Sequence, residues 1–375
     1  MINEKINVHQ FLVLVTLFTI GTTILVVPSG LAAAAKQDAW IVSIVGTGIG
    51  FIVIGIYHAL VRSYPEMTII QMNEKLFGKW IGKIVSLIFI SLPFIYTSIL
   101  MIYNGSFLTS HIMPDTPLPV LTMLMMVIVA MGVRLGIETI ARSGEIFLVF
   151  FFILFAFLVI FVSPNIEFEN IQPVFESKIN TIFGASINLV VTSTINSVIL
   201  LMIFPLVTRY KDAIKSFYIG NFIGGAVIIV ITLLSILVLG ADSTARQAYP
   251  SFILARRINV GNFVQRTEGV IAVMWFITIY FKMVLYFFAS VLGVSQIFNL
   301  KHYRPLTLPM ALIVGALSIL MFEDVVKQQN FDVKASILYS ITVGLFIPLL
   351  LLLVHAIRKR KNENKDDPQL IQKRE

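Results

Sequence analysis

Ten apolar runs divide this chain, and they constrain its fold more than any other feature. They lie at approximately 10–34, 40–61, 81–111, 118–133, 145–163, 182–207, 217–240, 267–299, 305–322 and 334–357. A helix needs roughly 20 apolar residues to cross a bilayer, and most of these runs reach that length. The third and eighth are longer and predict tilted helices. With 57% hydrophobic and 13% charged residues, the chain reads as an all-α integral membrane protein. The first run is too long for the apolar core of a cleaved leader and lacks a basic stretch before it.

Lysine and arginine are unevenly shared between the connecting segments. With the N-terminus inside, the inner segments hold 19 of them, seven in the tail 358–375, and the outer segments hold eight. The bias predicts both termini in the cytoplasm, and it accounts for the net charge of +8 without nucleic acid. Four arginines in the outer loop 241–266 run against the rule. That loop is long, and Pro250 to Ile258 reads as a short helix within it. Met67 to Phe77 reads as an interfacial helix ended by Gly78. The charged tail after Arg358 reads as disordered and able to touch anionic lipid. The chain has no cysteine, and its five histidines lie at or near run ends without ligand spacing, so no metal site is expected.

Span 1 is not a plain helix. Gly21-Thr22-Thr23-Ile24-Leu25-Val26-Val27-Pro28-Ser29-Gly30 places two glycines, a proline and hydroxyl residues near its middle. Proline removes a backbone donor and glycine loosens the chain. Freed backbone groups inside a membrane need protein or a lined cavity beside them. Span 6 is the second unusual helix, with Asn188, Thr192 and Asn196 at spacing four and Ser186, Ser193, Thr194 and Ser197 around them. The spacing puts the first three on one face, and the density reads as a wet or ligand-lined surface. Spans 1 and 6 would open two five-span halves, about 10–163 and 182–357, of opposite topology. Matching interruptions of this kind point to a transporter-type site.

Span 8 carries the only charge in the middle of a run, Lys282, in the stripe Thr278, Lys282, Tyr286, Ser290. A lysine at mid-helix costs roughly 3 kcal/mol on insertion scales, so it is expected to face a cavity or a partner. No Asp or Glu lies mid-span to neutralise it. Freed carbonyls in span 1 or 6, a ligand carboxylate, or deprotonation of the lysine are the alternatives. Span 3 adds Ser91, Pro93, Tyr96, Thr97, Tyr103 and Asn104.

Five stretches together resemble one family. They are the Gly21…Pro28 break, Gly78-Lys79-Trp80-Ile81-Gly82, and Met202-Ile203-Phe204-Pro205. The other two are Trp275 through Lys282-Met283-Val284-Leu285-Tyr286 to Gly293, and Leu300-Lys301-His302-Tyr303-Arg304-Pro305. The sequence resembles the B subunit of spore germinant receptors along its whole length. The resemblance implies ten helices in a LeuT-type 5+5 inverted repeat with broken helices 1 and 6, shared with amino acid–polyamine–organocation transporters. It also implies residence in the inner spore membrane, receptor A and C subunits as partners, and a small nutrient germinant as ligand. Carried onto this chain, the pocket would use Gly21 with Thr22, Leu92, Tyr96, Asn196, Ser197, Thr278, Lys282 and Tyr286. This chain departs from the family pattern in reading Gly-Thr-Thr where the motif often reads Gly-x-Gly.

Two functions remain open on these grounds: a ligand-sensing receptor subunit, and an autonomous amino acid or polyamine transporter. The lack of a mid-span carboxylate for a proton relay leans toward the receptor. No nucleophile–base pair or carboxylate dyad lies within the spans, so an enzyme and a resident cofactor are not expected.

Overall fold

The structure is a computed structural model describing residues 4–258, 267–322, 327–328, 331 and 335–363. Among the described residues it is helical throughout, with one isolated β-bridge, Ile6 to Val207. Span 1 is two helices, α1 (Val8–Ile20) and α2 (Thr23–Ala35), and α3 (Ala39–Ser63) is span 2. The short α4 (Ile69–Phe77) precedes span 3, α5 (Lys79–His111); spans 4 and 5 are α6 (Leu118–Leu135) and α7 (Ile137–Val162). Span 6 is α8 (Ile179–Ser193) followed by a 3-10 segment, Ile195–Met202, and span 7 is α9 (Tyr210–Leu239). Two short helices, α10 (Ala241–Arg246) and α11 (Pro250–Arg256), lead to span 8, α12 (Glu268–Ile297). Span 9 is α13 (Thr307–Leu320), and span 10 is α14 (Ser336–Ile341), a π turn (Thr342–Phe346) and α15 (Ile347–Glu363).

Among the described residues, eight stretches are apolar and long enough to cross a membrane, with Val8–Ile20 and Arg304–Leu320 as shorter apolar helices. Their lengths reflect the breaks. The first half of span 1 counts as short, while the second half runs on into α3. At the end bearing both termini, helices extend past the apolar runs. Span 5 begins at Ile137 and span 7 at Tyr210, since charged residues in solvent are good helix formers. The last helix continues to Glu363, into the segment read as a disordered tail; residues 364–375 lie outside those described.

Three sequence expectations are corrected. The break in span 1 falls at Gly21–Thr22, and Pro28 lies inside an unbroken α2. Pro28 cannot donate to the Ile24 carbonyl four residues back; the Ser251 hydroxyl of α11 donates to it instead, at 2.5 Å. Span 6 is not continuous to Pro205 but changes to 3-10 geometry after Ser193. Asn188, Thr192 and Asn196 therefore do not share a face: Asn188 is exposed and Asn196 is buried. The hydroxyls of span 6 mostly cap their own backbone rather than line a wet surface. Ser186 donates to Ile182, Thr192 to Asn188, Ser193 to Leu189 and Ser197 to Thr194, at 2.6–2.8 Å. The predicted helices at 67–77 and 250–258 are present as α4 and α11, ending at Gly78 and Arg256. Arg266 lies outside the described residues.

The N-terminal segment straps together the loops at its own end of the bundle. Asn7 and Gln10 form a capping box that starts α1. Before it, Glu4 accepts the Ile137 amide at 2.7 Å and pairs with Arg304 at 2.8 Å. Tyr303 donates to the same carboxylate at 3.2 Å. Burial, then the Glu4 charge, pushes the Tyr303 hydroxyl up to about 12. Ile6 and Thr208 are joined by a 3.1 Å backbone bond. Glu4 and Ile6 thus tie the start of α1 to the α6–α7, α12–α13 and span 6–span 7 junctions.

Candidate functional site

The two breaks meet at Lys282. Gly21 has φ +29° and ψ −120°, a region that L side chains rarely adopt. It also has no room for one: an added Cβ would lie 2.3 Å from Lys282 Cδ and 2.9 Å from the Phe18 carbonyl oxygen. The lysine stem therefore runs across the break in span 1. Its Nζ donates to the Thr192 carbonyl at 2.8 Å, one turn before the break in span 6. The same Nζ lies 5.1 Å from the centroid of the Phe18 ring, within the range of a cation–π contact. Lys282 is 2% exposed, and none of the ion pairs among the described residues involves it. A backbone carbonyl and an aromatic face take the place of a carboxylate.

The other carbonyls freed at the breaks are met by hydroxyls. Thr278, one turn from Lys282, donates to Gly21 at 2.9 Å. Thr23 turns back to the Thr19 and Ile20 carbonyls. The Tyr57 hydroxyl of α3 lies 2.8 Å from the carbonyls of both Ile195 and Gly344. It bridges the 3-10 segment of span 6 and the π turn of span 10, two geometries that leave carbonyls without helical partners. Gly344 is needed at that contact, because a Cβ would lie 2.8 Å from the Ile195 oxygen.

An aromatic stack closes one side. Phe18 packs edge-on against Tyr286 at 5.1 Å, and Tyr286 stacks on Tyr96 at 5.7 Å. The Tyr96 hydroxyl shares a 2.7 Å bond with Ser340 of span 10. Tyr286 Oη lies beside the Asn196 side chain, yet Tyr286 Oη and Asn196 Oδ1 make no hydrogen bond within the protein. Two buried polar atoms left open in this way are uncommon in a finished core, and Tyr286 lies one turn along α12 from Lys282.

The nine residues singled out from the sequence divide accordingly. Gly21, Thr278 and Lys282 converge at the span 1 break. Tyr96, Tyr286 and Asn196 converge one turn further along α12. Ser197 is buried but spent on the Thr194 carbonyl. Thr22 is the first residue of the turn into α2, and its carbonyl accepts from Leu25 and Val26. Leu92 is buried on α5 one turn beyond Tyr96. Tyr57, Ser340 and Gly344 were not among the residues the sequence pointed to. A lone tyrosine in span 2 and the Ser336, Ser340, Gly344 spacing in span 10 were the available signals, and each is ordinary alone.

Comparison with known proteins bears directly on this arrangement. A family model described as "Spore germination protein" matches residues 5–326. The chain belongs to the spore germination protein family. It is 28% identical over 364 residues to spore germination protein KB of Bacillus subtilis (strain 168), covering 96% of each chain. It is 21% identical to spore germination protein YndE of the same organism, covering 95% of this chain and 98% of that one. Among solved structures it resembles MhsT in complex with L-phenylalanine, with TM-score 0.67 at 14% identity, covering 95% of this chain and 99% of that one. It also resembles Mhp1, a nucleobase-cation-symport-1 family transporter, with TM-score 0.64 at 10% identity, covering 87% and 74%. These likenesses establish the LeuT-type fold with its broken helices 1 and 6. The family places the chain in spore germination, and its fold is one that solved transporter structures share.

Proposed function

We propose that this chain is the germinant-sensing subunit of a spore germination receptor, with a small nutrient bound between spans 1, 3, 6 and 8. The carrying observation is the Lys282 bridge between the two breaks, beside the open polar atoms of Asn196 and Tyr286. Repeats at about 10–163 and 182–357 form the two halves of the transmembrane domain, and 358–375 is a basic cytoplasmic tail. Both termini are cytoplasmic and the membrane is the inner spore membrane. Receptor A and C subunits are the partners through which ligand binding triggers germination.

Within this reading, Lys282 stands in for a bound cation rather than for the ligand's counter-ion. Its Nζ already has a carbonyl partner and an aromatic face, and its stem already fills the Gly21 break. A cation in that place holds the half-helices in register. The ligand then has no need of a carboxylate. Deletion of the gene in the spore former, scored against amino acids, sugars and nucleosides, tests the receptor reading. Loss of response to one nutrient class is expected. Substrate uptake by this chain alone in vesicles, with unchanged germination in the deletion, would establish the transporter instead.

A further inference from the structure

Tyr57 has one hydrogen to give and two carbonyls to serve. The residue is 0% exposed, and its hydroxyl lies 2.8 Å from the oxygens of both Ile195 and Gly344. A hydroxyl carries a single donor hydrogen, so one of the two oxygens is always the less well served. Both need it. Residue 348, inside α15, is proline. It has no N–H for the Gly344 carbonyl four residues back, and its ring crowds that oxygen. Ile195 opens the 3-10 segment of span 6, a geometry with poorer hydrogen bonds than the α-helix. The two segments touch, since a Cβ on Gly344 would lie 2.6 Å from Ile195 Cγ2 and 2.8 Å from its oxygen. The Tyr57 ring is itself stacked on Phe217 of α9 at 6.3 Å. Beyond Gly344, span 10 runs on to α4. His355, about 16 Å along the helix, shares a 2.6 Å bond with Tyr64. Arg358, about 21 Å along, donates to the Lys75 carbonyl at 3.2 Å.

We propose that Tyr57 is a positioning residue that couples the break in span 6 to the α15 half of span 10, its one hydrogen contested by the Ile195 and Gly344 carbonyls. Two arrangements result, and each steadies the segment that holds the hydrogen. Coupling over such a distance requires a two-state element that both ends bias, and the contested hydrogen supplies one. Asn196, with its open Oδ1, is the next residue after Ile195. Within the receptor reading above, on which this role rests, a nutrient that draws Asn196 toward itself withdraws the Ile195 carbonyl. The hydroxyl then turns to Gly344 and steadies α15 against α4.

Hydrogen exchange of the purified full chain in detergent, with no ligand added, tests the contest. Wild type, Tyr57→Phe, Pro348→Ala and the double variant are followed at residues 195–202 and 349–360. Tyr57→Phe should quicken exchange about tenfold in both segments, as expected when buried carbonyls lose their donor. Pro348→Ala supplies an N–H for the Gly344 carbonyl and leaves Tyr57 in place. The hydroxyl then passes to Ile195, and exchange at 195–202 should slow severalfold. In the double variant, the effect of Tyr57→Phe should persist at 195–202 and vanish at 349–360. A tyrosine that only fills space predicts otherwise. Unchanged or faster exchange at 195–202 in Pro348→Ala would overturn the contest, even if Tyr57→Phe failed to fold. So would a Tyr57→Phe effect at 349–360 that survives in the double variant. Either result would leave the receptor reading standing, because no ligand enters the measurement. Germination unchanged by deletion of the gene would refute that reading and leave the contest between the two carbonyls in place.

Discussion

Replacing Gly21 by alanine probes the junction of the two breaks with a single methyl group. Two costs follow from the coordinates. An L residue at φ +29° and ψ −120° is held in a sparsely populated region, at about 1–3 kcal/mol. The new Cβ would lie 2.3 Å from Lys282 Cδ, so the lysine stem must move. Moving it strains or breaks the 2.8 Å bond from Nζ to Thr192; a bond from a charged donor is worth about 1.5–3 kcal/mol. Together these come to roughly 3–5 kcal/mol, or about two to three and a half decades in the population of the bridged arrangement. Thermal unfolding of the purified chain should show a drop on the order of 5 °C or more. Gly30→Ala is the control, because nothing lies within 4 Å of a Cβ there; it should be neutral or stabilising by up to about 1 kcal/mol. The double variant Gly21→Ala, Lys282→Ala separates the two costs. Shortening the lysine removes the clash, so the double should be less destabilised than the two singles added. A Gly21→Ala protein as stable as Gly30→Ala, or strict additivity in the double, would refute the proposed contact.

Other expectations follow from the same coordinates. Tyr57→Phe leaves the Ile195 and Gly344 carbonyls without their hydroxyl and should cost about 1–3 kcal/mol in unfolding; a change under about 0.5 kcal/mol would show that water replaces it. Glu4→Gln removes the charge that ties Arg304 to the Ile137 amide. Hydrogen exchange at Ile137 and Thr208 should quicken severalfold, as expected for a partly exposed pair worth up to about 1 kcal/mol, and unchanged exchange would mean the strap is held by the Ile6–Val207 pairing alone. For the topology, cysteines at the exposed positions Lys36 and Glu169 should label from outside and those at Lys79 and Lys211 should not; the reverse pattern would invert the orientation.

Much of this architecture was legible because the bilayer punishes exceptions. Runs of apolar residues set the spans, and a glycine or a lysine inside such a run is conspicuous, which is how Gly21 and Lys282 stood out. The break in span 6 was harder to place. Val191 to Ile199 holds neither glycine nor proline, and the change to 3-10 geometry depends on partners remote in sequence. Asn221 of span 7 donates to the Thr194 hydroxyl at 3.1 Å, and Tyr57 of span 2 reaches the Ile195 carbonyl. Periodicity within one helix carries no trace of such bonds. The hydroxyl residues misled for a related reason: in an apolar helix serine and threonine bond back to their own backbone, so their density did not indicate a wet face. The run 334–357 carries no sign of the π turn, which is marked only by Gly344 meeting Ile195 across the bundle.

The dose response of Lys282→Met spores tests the central claim most directly. Methionine keeps most of the stem that crosses Gly21 and removes the donor to Thr192. With Lys282 as a fixed cation joining the two breaks, the response to every effective germinant should weaken, uncharged sugars included, while the protein level on an immunoblot stays near that of the wild type. A shift confined to amino acids would mean that Lys282 holds the ligand carboxylate. An unchanged dose response with all germinants would contradict the bridge and leave the pocket without its charge.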